Sequence, residues 1–162
     1  MDDMFSHDSD FLVWTERQAR VLRDLASRRA DLPNELDIEN LAEEIEDLGR
    51  SEFNAFKSHI RNIMLHLIKA ACEPDARAVP HWSSEARAFH WSMLDKHSPS
   101  MPSRIDLATL WAQAREGALE DLAEIRGASA CEIPAICPFG IEDFIAKKFD
   151  FRALLARLAP PA

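Results

Sequence analysis

From Leu36 to Cys72 the chain reads LDIENLAEEIEDLGRSEFNAFKSHIRNIMLHLIKAAC, with no proline and a single glycine. Its apolar residues recur at three- and four-residue intervals, the spacing of one face of an α-helix. The stretch predicts either one long helix or two helical halves hinged at Gly49. Asp37 is an N-cap type of residue and Glu39 follows in the first turn, where the helix dipole favours an anion. Pro74 sets the other limit, because proline cannot continue a helix and disfavours helix at the residue before it.

The remaining periodic segments are shorter and have to pack against this one. A helix is expected over 10–31, with Phe11, Trp14, Val21, Leu22 and Leu25 on its apolar face. Another is expected over 82–97, with Trp82, Ala86, Phe89 and Met93 on that face. A fourth, over 100–127, presents Leu107, Leu110, Trp111, Ala114, Ala118, Leu122 and Ile125, with Gly127 as its stop. Residues 1–9 read as a flexible arm, disordered or loosely docked, and 74–80 as a loop. Residues 128–162 read as an irregular segment with short helical pieces near Ile141–Lys148 and Phe151–Leu158. Three Val, two Thr and eleven Ile leave little material for a sheet. The expected fold is all-α: an up-and-down bundle of about four main helices with short C-terminal pieces, in a single domain over 1–162. Leu41, Ile45, Leu48, Phe56, Ile60, Ile63, Leu67, Phe89, Met93, Leu107, Leu110, Trp111 and Ile125 are its expected core.

A formal net charge of −9 argues against nucleic acid as the main partner, because phosphate binding needs clustered Lys and Arg. No apolar run approaches the ~18 residues of a membrane helix. The three cysteines, Cys72, Cys131 and Cys137, form no CxxC pair, and an odd count without a framework suggests a reducing compartment. With an acidic, polar N-terminus, the expectation is a cytoplasmic protein that does not engage a membrane.

Glu39, Glu43 and Glu46 share one helical face, away from the stripe of Leu41, Ile45 and Leu48, and Arg50 joins their row. The row is expected to face solvent, with the basic first helix (Arg17, Arg20, Arg23, Arg28, Arg29) answering it. The alternative is a Mg²⁺ site of the kind that all-α nucleotide pyrophosphohydrolases build from Glu-x-x-Glu and Glu-x-x-Asp pairs. Glu43 and Glu46 have the first spacing, whereas Glu116, Glu120 and Asp121 do not reproduce the second. No Gly-rich phosphate loop and no cysteine or serine with a partnering histidine stands out.

A second polar line runs along the long helix. Glu52, His59 and His66 lie within roughly 40° of one another, with Asn62 beside them. Neighbours in this line are about 10 Å apart in rise, so a shared ion would need ligands from another helix. His90 and His97 offer the same seven-residue spacing. In an antiparallel arrangement His66 stands level with His90, and His59 with His97. Two stacked histidine pairs, completed by Glu52 or a carboxylate of the fourth helix, form the candidate transition-metal site. The plainer expectation is histidines satisfied by backbone, Asn62, Glu52 or water.

Several of these segments resemble a known family. ENLAEEIEDLGRSE over 39–52 is similar to the central motif of the bacterial family of domains of unknown function number twenty-nine. Asp10-Phe-Leu-Val-Trp-Thr resembles its opening and Leu65-His66-Leu67-Ile68-Lys69 its His-Leu-Leu-Lys motif. Pro74, Trp82, Ser98-Pro99-Ser100, Cys137-Pro138-Phe139 and Phe149 stand where the family has similar residues. Ala70 departs from the pattern, which has Trp there, and His59, His90 and His97 are not part of it. The resemblance spans roughly 10 to 150 and implies an all-α bacterial intracellular protein, without bringing an activity. The functional expectation is a small acidic interaction module without catalytic activity, binding a protein partner or itself. A metal-binding bundle or a hydrolase using interior His and Glu is the alternative. No cofactor is expected beyond a possible transition metal.

Overall fold

The computed structural model describes residues 6–29, 31–126 and 131–158, the side chains of 125 and 126 excepted. The fold is all-α, and no strand occurs among these residues. The helices are α1 (Phe11–Arg28), α2 (Ile38–Cys72), α3 (Val79–Asp95), α4 (Leu107–Arg126), α5 (Glu142–Ile145) and α6 (Phe151–Ala156), with a 3₁₀ turn at Pro102–Arg104. None of them is long and apolar enough to cross a membrane. α2 is a single helix through Gly49, about 52 Å long at 1.5 Å per residue. α3 begins three residues before the expected Trp82, because Pro80 fits the first turn, where its missing N–H is no loss. α4 begins at Leu107 rather than 100, since residues 102–104 close a 3₁₀ turn and Asp106 caps the helix by accepting from Thr109 N at 3.2 Å. Residues 1–5, expected in the arm, and Gly127, the expected stop, lie outside the described residues, as does the side chain of Ile125.

By compactness the chain has two units: Met1–Ala55 with Lys96–Arg104, and Phe56–Asp95 with Ile105–Ala162. In the first unit, α1 and the opening half of α2 run antiparallel, because Thr15 faces Gly49 while Arg23 reaches Glu39 and Glu46. The buried stripe of α1 is Leu12, Thr15 and Ala19. On α2 it is Ile38, Ala42 and Gly49, with Ile45 half-buried. This corrects the expected core: Leu41 and Leu48 are 44% and 57% exposed, and Val21 is exposed as well. The reason is the close crossing at Gly49. A Cβ there would stand 3.0 Å from Thr15 Cβ and 3.4 Å from Leu12 Cδ1, and would overlap Thr15 Oγ1 outright. Small residues at the crossing let the backbones approach and turn the larger leucines outward.

The same unit is fastened by polar contacts. Asp10, buried at the start of α1, accepts from Val13 N (3.1 Å), Ser100 N (2.8 Å) and Ser100 Oγ (2.9 Å). Arg104 pairs with Glu16 and Lys96 with Glu52. Residues 6–9 are docked: Asp10 N donates to Ser6 O at 3.1 Å and the His7 ring packs edge-on against Phe11 and Trp14.

The second unit is built as the periodicity predicts. Phe56, Ile60, Ile63, Met64, Leu67, Ile68 and Ala70 of α2 are buried, as are Trp82, Ala86 and Met93 of α3. Leu110, Trp111, Ala114, Ala118 and Leu122 bury the matching side of α4, whereas Phe89 and Leu107 are half-buried. Trp111 meets its polar need by donating Nε1–H to Pro134 O at 2.9 Å, and its ring packs edge-on against Phe139. Phe144, Phe151 and Leu154 complete the core from the C-terminal segment. Cys72 at the end of α2 is bridged to Cys131, 59 residues on, which removes the cysteine count as support for a reducing compartment. A loop of that length is worth about 4 kcal/mol in the chain-entropy account. Cys137 is free and half-buried, and burial pushes its thiol up.

Candidate functional site

The long polar line of α2 divides between the two units. Glu52 belongs to the first, where its carboxylate takes Lys96 Nζ at 2.9 Å. His97 belongs to that unit too and is exposed. His59, His66 and His90 belong to the second, and each meets an aromatic ring. His66 stacks on Phe89 with centroids 5.8 Å apart, and His59 is tilted against the same ring at 5.8 Å. His90 is fully buried, stacks on Phe149 at 4.8 Å and donates Nε2–H to Ala146 O at 2.9 Å. That bond sets the tautomer, because a carbonyl can only accept. Among the described residues no group of three or more His, Cys, Asp or Glu is gathered to hold a metal ion.

His66 has the most perturbed environment of the three. Burial lowers its pKa to about 4, helped by Lys69 and His81 and opposed by Glu85 and Asp121. The imidazole is therefore neutral at pH 7. Lys69 lies beneath it on α2, largely buried, and ion-pairs with Asp121 of α4. This salt bridge ties α2 to α4 near Gly117, where an added Cβ would meet Leu65 Cδ1 at an ordinary 3.4 Å.

The acidic row of α2 does not stand free. Arg23 Nε donates to Glu39 at 3.0 Å and Arg23 Nη2 to Glu46 at 2.9 Å, so the basic helix does answer it. The two carboxylates raise the pKa of Arg23, Glu46 foremost. Arg50 pairs with Asp47, one turn back, rather than with Glu46.

On the adjoining strip of α2 stand the outward leucines. Leu41 and Leu48 are one heptad apart, and Asp37, Glu44 and Glu52 bracket them at three- and four-residue steps. Asp37 and Glu44 are exposed, as is Leu36 just before the helix. Elsewhere, in the second unit, Trp91 is 62% exposed, as its position opposite the apolar face of α3 predicts.

Sequence reasoning passed over two further arrangements. One is the Asp10–Ser100 fastening, whose partners are 90 residues apart. The other is a groove of about 540 Å³ lined by Ser83, Ser84 and Arg87 of α3 and by Asp150 and Arg152 at α6. Neither arginine stands out in the sequence, because only the packing of α6 on α3 brings them to one groove.

The comparisons with known proteins agree with this architecture. No curated protein matches the chain. A crystal structure of an alpha-helical protein of unknown function from Rhodospirillum rubrum is similar at 38% identity. It covers 96% of this chain and 98% of its own, with a TM-score of 0.90. The family model described as domain of unknown function DUF29 matches residues 6–150, and the chain belongs to that family.

Proposed function

We propose that the chain is a protein-interaction module whose docking face is the Leu41–Leu48 strip of α2. The observation that carries this reading is the exposure of those two leucines, 44% and 57%, on a helix whose own buried stripe lies elsewhere. Exposed large apolar side chains arranged in a row are the usual anchors for a helix laid alongside. The flanking charge names the partner's chemistry. Asp37 and Glu44 border the leucines, and the chain carries −9 overall. A second copy would bring like charges together, whereas an amphipathic helix with leucines on one face and Lys or Arg at its edges complements the strip.

The test uses a helical peptide of leucine and lysine at heptad spacing as probe. The intact protein is expected to be monomeric by light scattering and to bind the peptide with an affinity that falls as salt rises. Leu41→Glu/Leu48→Glu, which alters only exposed positions, is expected to abolish binding without lowering the melting midpoint. Equal binding by that variant would refute the docking face. A dimer that the same variant dissociates would refute the basic partner and identify a second copy as the occupant.

A further inference from the structure

The groove beside α6 has the chemistry of a binding site of its own, in the unit that does not contain the leucine strip. α3 enters it at Val79 and Pro80 and lines it with Ser83, Ser84 and Arg87. The opposite side is formed by Phe149, Asp150, Phe151, Arg152 and Leu155. The aromatic wall is held in place from behind. His90, 1% exposed, stacks on Phe149 at 4.8 Å and anchors the segment by donating to Ala146 O. Phe151 is buried and Leu154 beside it is part of the core.

Two arginines share the groove. Carboxylates are abundant in this chain, and Arg23, Arg29, Arg50, Arg104 and Arg157 each pair with one, although several other arginines among the described residues do not. Arg87 and Arg152 carry no ion pair among the described residues, and both are exposed at one groove. The first turn of α3, which opens into the same groove, holds no acidic side chain to offset the positive end of its dipole. Two guanidinium groups and two serine hydroxyls, all donors suited to an oxyanion, line this one groove. Its volume, about 540 Å³, suits a small organic ligand. Among the described lining residues the opposing charge is Asp150, whose Oδ1 caps α6 by accepting from Ala153 N at 3.0 Å.

We infer that the groove between α3 and α6 binds a phosphate monoester with an aromatic or aliphatic body. The phosphoryl oxygens meet Arg87, Arg152 and the serines, and the body lies on Phe149 and Leu155. Arginine suits this role because its planar fork can give two parallel hydrogen bonds to one phosphoryl group. The negative field of the whole chain disfavours anions at a distance, so affinity has to come from these local contacts and fall as salt rises.

Phenyl phosphate titrated into the full chain, followed by amide chemical shifts and calorimetry, tests the inference. Saturable shifts are expected at Ser83, Ser84, Arg87 and Arg152, with weaker binding of inorganic phosphate. Arg87→Gln and Arg152→Gln should each weaken phenyl phosphate about tenfold, a loss of about 1.4 kcal/mol. Asp150→Asn, which keeps a good N-cap residue for α6, should tighten it several-fold. Because that variant gains rather than loses affinity, a folding defect cannot imitate the result. Absence of saturable shifts in the groove would overturn the inference. So would unchanged affinity in the Arg87→Gln/Arg152→Gln double variant, or benzoate binding as tightly as phenyl phosphate.

Discussion

Replacing Gly49 by alanine sets two physical effects against each other at one position. Gly49 lies in the interior of a continuous 35-residue helix, where alanine gains about 1 kcal/mol from helix propensity. Against this, the new methyl would lie 3.0 Å from Thr15 Cβ and 3.4 Å from Leu12 Cδ1, and inside the radius of Thr15 Oγ1. Thr15 is fully buried and cannot swing freely, because its hydroxyl donates to Leu12 O at 2.8 Å. Rotating it away leaves a buried hydroxyl without its acceptor, a cost of about 1–3 kcal/mol. Keeping it forces the helices apart, with an overpacking cost of about 1–3 kcal/mol. Either route exceeds the propensity gain once the residual Cβ–Cβ contact is added, and the net loss is about 2 kcal/mol. For a chain of this size that lowers the melting midpoint by roughly 4–8 °C. Thr15→Ala in the same background removes the overlapping oxygen but keeps the Cβ contact, so it should restore about half of the loss. Thermal melts of the four proteins of this double-mutant cycle measure the coupling. A Gly49→Ala protein that melts above the wild type, or a double variant whose losses simply add, would refute the close-crossing argument.

Asp10→Ala removes the α1 cap and leaves Ser100 N and Oγ without their acceptor, so a loss of about 2–4 kcal/mol is expected by denaturant titration, with Asp10→Asn in between. An unchanged transition midpoint in Asp10→Ala would show that this fastening contributes nothing. His66 provides a pH signature. Its pKa is lowered to about 4 in the folded chain from an ordinary 6.5, so between those values the unfolded state binds more protons. Stability is therefore lost as pH falls from about 6.5 towards 4 and is unaffected by this group above 6.5. Discounted for partial exposure, the effect is about 1–2 kcal/mol. His66→Phe, which can keep the stack on Phe89, should lose less stability than the wild type over that window, and parallel pH profiles for the two proteins would contradict the assignment.

The second unit was legible in the sequence because it follows the rule by which helices are read: large apolar residues at helical spacing face inward. Phe56, Ile60, Ile63 and Leu67 do so, as do Leu110 and Trp111, and Trp91 stands outside as its position requires. The stop at Pro74 and the absence of strands among the described residues are equally local in origin, since they depend on propensity and backbone sterics, whereas continuity of the long helix through Gly49 was left open by the sequence. The first unit escaped the same rule. Its crossing uses Thr15 and Gly49, with Ala19 and Ala42 buried nearby, and small residues carry little weight in a hydrophobic pattern although they decide how closely two backbones can approach. Leu41 and Leu48, which the pattern placed in the core, were thereby left on the surface, where they form the proposed docking strip. The histidine line was visible as a spacing, but what each ring meets depended on partners from other elements: Phe89 for His59 and His66, Phe149 and Ala146 for His90. The Cys72–Cys131 bridge and the pairing of Arg87 with Arg152 at one groove are likewise products of chain return over 59 and 65 residues. Composition and periodicity determine which segments become helices and which faces they prefer. Which small residues meet, and which charges are left without a partner, is set only when the helices pack, because those contacts join residues that no local pattern relates.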